Sequence, residues 1–356
     1  MNTASLARPE IASLSPYAAA AQDRLTVRLN ANEIPWSPSA EPDECLNRYP
    51  LVRPWALRDR LAEIHRVSAQ QLLVTRGTSE AIDLLVRVFC RAGQDNIVIT
   101  PPTFGMYKVY ADIQGAGLCE SPLRAEQDFR FDIAELLRVP DERSKLIIIC
   151  SPNNPTGNSM QLADLETLIA ARQGRSLIVI DEAYIEFSTG RSAITLMERY
   201  ENLAVLRTLS KAHGLAAARL GCVLAQPAVI RLLDSIMAPY SIATAIANRA
   251  MTALRDENLA VAADRIAQLV AERQRLQTRL SASVSVEKVW ASDANFLLVR
   301  FRNLPLTRSL LEDRRILIRD VSAVPGLQNC ARITVGTRSE NDLLLDTING
   351  KSTNHA

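Results

Sequence analysis

The chain has 356 residues, of which 41 are basic and 39 acidic, giving a net charge of +2. Apolar residues make up 47% and charged residues 22%, a composition typical of a folded globular protein of about two domains. The basic residues are interspersed with acidic ones, which argues against a nucleic-acid-binding protein. No uncharged apolar run approaches the roughly 18 residues of a membrane span, and the N-terminus lacks a signal peptide's apolar stretch. We therefore expect a cytoplasmic protein that binds neither nucleic acid nor membrane.

The cysteines and histidines do not have the spacing of a metal site. The six cysteines are widely separated and include no C-x-x-C pair, so we expect unpaired thiols in a reducing cytosol. The histidines at 65, 213 and 355 are also far apart. His213 lies two residues after a lysine and does not share its helix face, so we interpret it as structural. The sequence predicts no metal centre.

Lysine is rare in this chain, which makes each lysine a candidate for chemistry. Only five of the 41 basic residues are lysines: Lys108, Lys145, Lys211, Lys288 and Lys351. A lysine can lose its proton and act as a nucleophile, whereas arginine stays protonated. We interpret four of them, including Lys108, as solvated surface residues. Lys211 differs because Ser210-Lys211 directly follows an apolar strand-like run.

Strands and helices are predicted to alternate over the first two-thirds of the chain. Helical spacing covers residues 55–65, 81–90, 161–171 and 193–199. Short apolar runs that lack alternation predict strands at 71–75, 96–100, 145–150, 176–180, 203–208 and 221–225. Such runs are typical of strands covered on both faces. We therefore predict an α/β fold, with a mostly parallel sheet and helices on both of its faces.

The C-terminal part of the sequence has a different predicted order of helices and strands. Residues 242–281 are predicted to be helical, with a break near Asp256. Strands at 285–289, 295–301, 316–319 and 331–335, with helices at 306–314 and 339–348, predict a smaller α+β domain. We therefore expect an N-terminal arm that partly joins the small domain (1–45), a large domain (46–250) and a small C-terminal domain (251–356).

Polar residues follow the predicted strands where each strand ends. Ligands of open α/β sheets bind beyond the carboxyl ends of the strands, so these residues are expected to meet at one edge. In chain order they are Gly77-Thr78-Ser79, Asn154 in SPNNPTG, Asp181 and Tyr184 in DEAY, Ser210-Lys211, and Arg219.

This set of side chains suits pyridoxal 5′-phosphate. The cofactor's aldehyde requires a lysine amine, here Lys211, and its protonated ring nitrogen requires a carboxylate, here Asp181. Asn154 and Tyr184 can donate to the ring's phenolate oxygen. The helix start at Gly77-Thr78-Ser79, with Ser210 and the guanidinium of Arg219, suits the phosphate.

The ordered motifs resemble those of fold-type I aminotransferases of the aspartate aminotransferase superfamily. The resemblance is carried by SPNNPTG, DEAYIEF and TLSKAHGLAAARLG, in which Asn154 and Asp181 are 27 residues apart and Lys211 and Arg219 are 8 apart. LNANEIP, LNRYP, PPTFGMY and RITVGTR narrow it to the histidinol-phosphate aminotransferases, over about residues 10–350. Two departures are Phe104, where we expect tyrosine, and Ala217, where we expect glycine.

The resemblance implies further site residues. Tyr107 corresponds to a ring that stacks on the cofactor, and Tyr49 to one that reaches the phosphate of a neighbouring subunit's cofactor, which implies a homodimer. Tyr17 and Asn32 correspond to substrate-binding residues of the N-terminal arm. Arg332 matches the arginine for the substrate carboxylate, and Arg319 a second arginine suited to a phosphate monoester.

The resemblance implies transamination between L-histidinol phosphate and 2-oxoglutarate, which gives imidazole acetol phosphate and L-glutamate. Two related reactions stay open at this point, an aromatic amino acid aminotransferase and a phosphothreonine-type decarboxylase. A nucleotide-binding Rossmann protein is disfavoured because the sequence contains neither G-x-G-x-x-G nor G-x-x-x-x-G-K-[ST].

Overall fold

A seven-stranded sheet forms the centre of the larger part of the protein. The computed structural model describes residues 3–15, 22, 28–37 and 46–350. The strands of this sheet are β1 (Leu72–Thr75), β2 (Asn96–Ile99), β3 (Gly117–Glu120), β4 (Ser144–Cys150), β5 (Leu177–Asp181), β6 (Leu203–Thr208) and β7 (Gly221–Ala225). Their order across the sheet is β1-β7-β6-β5-β4-β2-β3.

The sheet is mostly parallel, which brings three strand ends together. Strands β2 to β6 run parallel to their neighbours, whereas β7 is antiparallel to both β6 and β1. The carboxyl ends of β4, β5 and β6 therefore lie side by side. Because β7 runs in the opposite direction, its first residue, Gly221, lies beside Thr208 at the end of β6.

Helices cover both faces of this sheet and extend into the C-terminal part. They are α1 (Pro9–Ala12), α2 (Trp55–His65), α3 (Gly77–Phe89), α4 (Met106–Gln114), α5 (Ile133–Arg138), α6 (Leu162–Ala171), α7 (Pro227–Ile236), α8 (Thr244–Ala253), α9 (Asp256–Ser281), α10 (Leu304–Asp313) and α11 (Arg338–Ile348). Single 3₁₀ turns occur at Thr3–Leu6, Ala69–Gln71, Ala125–Gln127, Ile185–Phe187, Ala193–Leu196 and Ala216–Ala218.

Alternate residues of the central strands belong to two separate apolar cores. In β5, Leu177 and Val179 pack with α3, α4 and α7, whereas Ile178 and Ile180 pack with α2, α6 and α8. Successive strand residues point to opposite faces, so Asp181 continues the face that packs against α3. Its carboxyl group is thereby directed into the apolar layer between the sheet and that helix.

A smaller antiparallel sheet lies in the C-terminal part. It consists of β8 (Val286–Val289), β9 (Phe296–Phe301), β10 (Arg319–Asp320) and β11 (Cys330–Thr334), in the order β10-β11-β9-β8. Its inner face packs on α9, α10 and α11 through apolar residues that include Val299, Leu276 and Leu345. The predicted α+β character of this part is confirmed.

Aromatic side chains join the two sheets. Tyr184, which follows β5, meets Phe296 of β9 edge-on, with ring centroids 5.1 Å apart. The buried guanidinium of Arg273 donates to the carbonyl oxygens of Phe187 (3.1 Å) and Ala294 (2.6 Å). Phe187 belongs to the segment that contains Tyr184, and Ala294 to the segment that leads into Phe296. The large sheet and the small sheet are thus held together directly beside the end of β5.

The predicted mostly parallel sheet with helices on both faces is confirmed, and each of its predicted strands is placed to within one residue at either end. Two predicted elements were wrong in detail. The helix predicted at 193–199 is only a 3₁₀ turn, and the strand predicted at 316–319 begins at Arg319. The division at residues 45 and 250 stays a prediction. Within the described residues, no helix is long and apolar enough to cross a membrane.

Candidate active site

The carboxyl ends of the central strands border a cavity of about 110 Å³. Eight predicted side chains line it: Thr78, Ser79, Asn154, Asp181, Tyr184, Ser210, Lys211 and Arg219. The remaining lining residues, which were not predicted as site residues, are Phe104, Cys150, Ala183 and Thr208. The structure therefore brings together residues that span more than a third of the chain.

A larger cavity of about 380 Å³ lies elsewhere, against β1 and α7, and it lacks comparable chemistry. Its lining contains no lysine, and its one carboxylate, Asp234, is ion-paired with Arg53 at 2.5 Å. The smaller cavity is the one that combines an amine, a carboxylate and a helix N-terminus.

Asp181 is a buried acid that forms no ion pair with the described residues. The hydroxyl of Tyr107 donates to its Oδ2 (2.8 Å), and the backbone N–H of Ala183 donates to its Oδ1 (3.2 Å). Burial outweighs these two neutral donors and the charge of Lys211, raising the pKa of Asp181 to about 6. The cavity therefore presents a carboxyl group whose charge needs a positive partner.

Lys211 lies at the mouth of this cavity, three residues after β6 ends. Its Nζ is 5.7 Å from the ring centroid of Tyr184. Partial desolvation of the ammonium group, together with the positive charges of Arg332 and Arg219, lowers the pKa of Lys211. A larger share of this lysine is therefore in the neutral, nucleophilic form than for a lysine in water.

The start of α3 forms an anion-binding end of the cavity. Gly77 has φ +72°, and a β-carbon there would lie 2.9 Å from Nη2 of Arg219. Arg219 is held in place by hydrogen bonds from Nη1 to the carbonyl oxygen of Ala216 (2.9 Å) and to Oγ of Ser210 (3.4 Å). Free N–H groups at the helix start and the guanidinium together suit a phosphate.

Gly221 is a positioning residue that the sequence analysis missed. A β-carbon on it would lie 2.9 Å from the backbone nitrogen of Thr78, so only glycine lets β7 approach the start of α3 this closely. It is the last residue of the segment R-L-G that follows Lys211 in the sequence. The sequence contained the glycine, but nothing in it showed that α3 packs against this position.

Asn154 and Arg332 link the cavity to the small sheet. Nη1 of Arg332 donates to Oδ1 of Asn154 at 2.6 Å, and its guanidinium lies 5.4 Å from the ring centroid of Phe296. Asn154 lines the cavity, and its amide N–H₂ donates to none of the described residues. The substrate arginine predicted from RITVGTR therefore lies next to the predicted cofactor residues.

The structure corrects the stacking role expected for Tyr107. Its ring is completely buried beneath the cavity, where its hydroxyl binds Asp181, and it is not part of the lining. Phe104 lines the cavity in its place and meets Tyr107 edge-on, with centroids 5.6 Å apart. The reason is that α4 begins only at Met106, so Phe104 belongs to the preceding loop that faces the cavity.

Three further predicted residues, Tyr49, Asn32 and Arg319, do not line this cavity. Tyr49 is half exposed and stacks on Tyr240, and Asn32 is exposed with φ +55°. Arg319 is exposed on β10, directly opposite Arg332 of β11. Tyr17 lies outside the described residues. Their roles toward a ligand stay predictions.

The described part of the chain holds no cluster of His, Cys, Asp or Glu suited to a metal ion, and the absence of a metal centre stays a prediction. The cavity instead fits pyridoxal 5′-phosphate. The uncompensated acid Asp181 suits the protonated ring nitrogen, the start of α3 with Arg219 suits the phosphate, and Lys211 supplies the amine.

The charge of Asp181 leads to a prediction about the cofactor-free protein. Because its pKa is raised from 3.8 to about 6, the stability that the protonated acid contributes is present below about pH 4 and is lost as the pH rises through 6. We expect Asp181→Asn to be roughly 3 kcal/mol more stable than the wild type at pH 8 and about equally stable at pH 4. Urea unfolding of both cofactor-free proteins across this range measures the difference.

Asp95→Asn is the matched control, because Asp95 is also buried but its pKa is lowered by hydrogen bonds from Arg91 that outweigh desolvation. It should lose stability at pH 8. If the stability of Asp181→Asn relative to the wild type does not increase between pH 4 and pH 8, then Asp181 is not a buried acid whose ionisation destabilises the fold.

Comparison with known proteins agrees with this geometry. The profile of the family described as aminotransferase class I and II matches residues 21–348. Histidinol-phosphate aminotransferase of Xanthomonas campestris pv. campestris is 44% identical over 358 residues, which covers 99% of each chain. That of Stenotrophomonas maltophilia is 41% identical, covering 97% of this chain and 96% of that protein.

A solved structure shows the same fold. Histidinol-phosphate aminotransferase of Sinorhizobium meliloti, determined in complex with pyridoxal 5′-phosphate, has a TM-score of 0.75 at 24% identity and covers 85% of this chain and 83% of that chain. The profile match and the full-length relatives settle the family. The chain belongs to the class I and II aminotransferases, and the relatives named above are histidinol-phosphate aminotransferases.

Proposed function

We propose that this protein is a pyridoxal 5′-phosphate-dependent transaminase. Its reaction is the reversible conversion of L-histidinol phosphate and 2-oxoglutarate to imidazole acetol phosphate and L-glutamate. The names of the full-length relatives support this reaction. In the structure it is supported by the pair Arg319 and Arg332, of which Arg332 donates a hydrogen bond to Asn154 of the cavity lining.

The arginine pair is the observation that carries the substrate assignment. Arg319 and Arg332 are directly opposite each other in the antiparallel pair β10–β11, so their side chains emerge on the same face. Like charges in such a pair repel, and Arg319 has no carboxylate partner among the described residues. A phosphate monoester dianion would relieve this repulsion and accept hydrogen bonds from both guanidinium groups.

The residues of the cavity would hold the cofactor by two kinds of contact. Asp181 would receive a hydrogen bond from the ring nitrogen, and the neutral donors on its two oxygens would keep it in position. The N–H groups at the start of α3, together with Arg219, would bind the phosphate. When bound, pyridoxal 5′-phosphate supplies a carbonyl carbon and an electron-withdrawing ring.

Lys211 performs the proton transfer in this proposal. Its lowered pKa allows Nζ to accept the proton from Cα of the amino substrate as a general base and later to return a proton as a general acid. Tyr184 is fixed beside it, because its ring is held between Lys211 and Phe296. The same arginine pair would accept the carboxylates of glutamate in the second half-reaction.

We propose further that the protein is a homodimer of the cytoplasm. The half-exposed Tyr49 and its neighbour Tyr240 form an aromatic surface beyond the cavity, as expected of a residue that serves a second subunit. Two-fold dimers are also the commonest oligomers. The described cysteines are unpaired thiols, which suits a reducing compartment.

Replacement of Lys211 tests the reaction class. Lys211→Arg keeps the positive charge but has no amine that can be deprotonated, so we expect kcat to fall by at least about 10³-fold. The measurement is the initial rate with L-histidinol phosphate and 2-oxoglutarate. Lys108→Arg, on the outer face of α4 and paired with Asp112, is the matched control and should retain wild-type turnover. Normal turnover of Lys211→Arg would end the proposal.

Replacement of Arg319 tests the substrate. Arg319→Ala removes one of the two guanidinium groups, and we expect the ratio of kcat/KM for histidinol phosphate over histidinol to fall by about tenfold or more. Arg302→Ala is the control, because Arg302 follows β9 and donates to the carbonyl oxygen of Val284, outside the arginine pair; it should leave the ratio unchanged. An unchanged ratio for Arg319→Ala, or a wild-type preference for histidinol, phenylalanine or aspartate, would show that the substrate assignment is wrong.

A hybrid dimer tests whether Tyr49 acts across subunits. When a Lys211→Ala chain is combined with a Tyr49→Phe chain, one site keeps Lys211, and that site receives Tyr49 from the Lys211→Ala chain. We therefore expect about half of the wild-type activity in the purified hybrid. Activity no higher than half that of the Tyr49→Phe homodimer would instead place Tyr49 in its own subunit's site.

A further inference from the structure

The carboxylate of Glu33 connects the two N-terminal motifs that the reaction leaves unexplained. Glu33 lies in LNANEIP, and its side chain is only 3% exposed although residues 28–37 form no helix or strand. The second motif, LNRYP, begins at Leu46. Among the described residues, the hydrogen-bond partners of the Glu33 side chain are Arg48 and Tyr49 of this second motif and Arg28, which directly precedes the first.

Both oxygens of Glu33 are occupied by donors. Nη2 of Arg28 donates to Oε1 at 2.6 Å, and the backbone N–H of Tyr49 donates to the same oxygen at 2.8 Å. Nη1 of Arg48 donates to Oε2 at 3.0 Å. A single carboxylate thus fixes three groups that are up to 21 residues apart in the chain.

The ionised form of Glu33 is stabilised by its hydrogen-bond donors and by the neighbouring arginines. Burial opposes ionisation, but the hydrogen bonds from Tyr49 and Arg48 and the charge of Arg28 outweigh it and lower the pKa of Glu33. Loss of the negative charge would leave two guanidinium groups facing each other without a counter-ion. The segment that contains Tyr49 therefore depends on an ionised Glu33 for its position.

The backbone nitrogen and the ring of Tyr49 are held by contacts, whereas its hydroxyl is not. Its backbone nitrogen is bound to Glu33, and its ring stacks on Tyr240 with centroids 5.0 Å apart. The residue is 52% exposed, and its hydroxyl makes no hydrogen bond to the described residues. An aromatic ring fixed in this way presents its hydroxyl outward in a single direction.

We propose that Glu33 is a positioning residue that sets the Tyr49 hydroxyl for the cofactor phosphate of a second copy of this chain. The proposal rests on the proposed function, in which Tyr49 contacts that phosphate. Asn32, the residue before Glu33 and a predicted substrate residue, is anchored by the same contact. The two N-terminal motifs are then one unit, with Glu33 as its centre.

The test is a double-mutant cycle on cofactor affinity. The Kd for pyridoxal 5′-phosphate is measured by fluorescence titration for the wild type, Glu33→Gln, Tyr49→Phe and the double variant. If Glu33 acts through the Tyr49 hydroxyl, Glu33→Gln weakens binding by about tenfold when Tyr49 is present and by less than about twofold in the Tyr49→Phe background.

A loss of the same size in both backgrounds would overturn the inference, because Glu33 would then affect binding without Tyr49. Glu272→Gln is the matched control, since Glu272 is a partly buried carboxylate that likewise accepts hydrogen bonds from an arginine and a neutral donor, Arg275 and Asn341, and it does not line the cavity. It should leave the Kd unchanged. Thermal unfolding verifies that each variant is folded.

If Glu33→Gln does not fold, Arg48→Gln gives the same cycle, because it removes the donor that holds the second oxygen of Glu33. A wild type that binds no pyridoxal 5′-phosphate would overturn the proposed function and this inference with it. Tight wild-type binding, with a Glu33→Gln loss that persists in the Tyr49→Phe background, would overturn this inference alone.

Discussion

The burial of the Asp181 carboxyl group is the constraint on which the rest of the site depends. The alternation of β5 places it on the apolar face of the sheet, where its hydrogen-bond donors among the described residues are the neutral groups of Tyr107 and Ala183. A protein gains nothing in stability from such an acid, because its charge is poorly solvated and unpaired. The unfavourable free energy of this buried charge is relieved when a cationic ring nitrogen enters the cavity. We interpret the site as a place where folding energy is given up to create affinity for a positive partner.

On the opposite face of the sheet, the next residue after Asp181 is an acid that does form an ion pair. Glu182, the next residue, accepts hydrogen bonds from Arg207 (3.1 Å), Ser192 (2.6 Å) and the N–H of Ala193 (2.6 Å). Arg207 precedes Lys211 by four residues on β6, so this ion pair ties the end of β5 to the end of β6. The segments that carry Asp181 and Lys211 are therefore held together by an ion pair on the opposite face of the sheet.

The fold and the centre of the site were predictable because they depend on local patterns. Uniformly apolar runs indicate strands covered on both faces, and the polar residues after them must meet at one edge. The role of Tyr107 was not predictable, because the start of α4 decides whether Phe104 or Tyr107 faces the cavity. Strand β3 was not predicted, since its residues are half exposed at the sheet edge and lack an apolar pattern. The function of Gly221 and Glu33 depends on contacts between distant segments, which spacing alone does not show.

A single-turnover reaction of the cofactor-loaded protein with L-glutamate tests the central claim most directly. The account predicts that one equivalent of 2-oxoglutarate forms per site, with a matching change in cofactor absorbance and no release of CO₂. It also predicts that the absorbance returns when imidazole acetol phosphate is added, as L-histidinol phosphate forms. Release of CO₂ from glutamate, or no 2-oxoglutarate from protein that holds the cofactor, would contradict it.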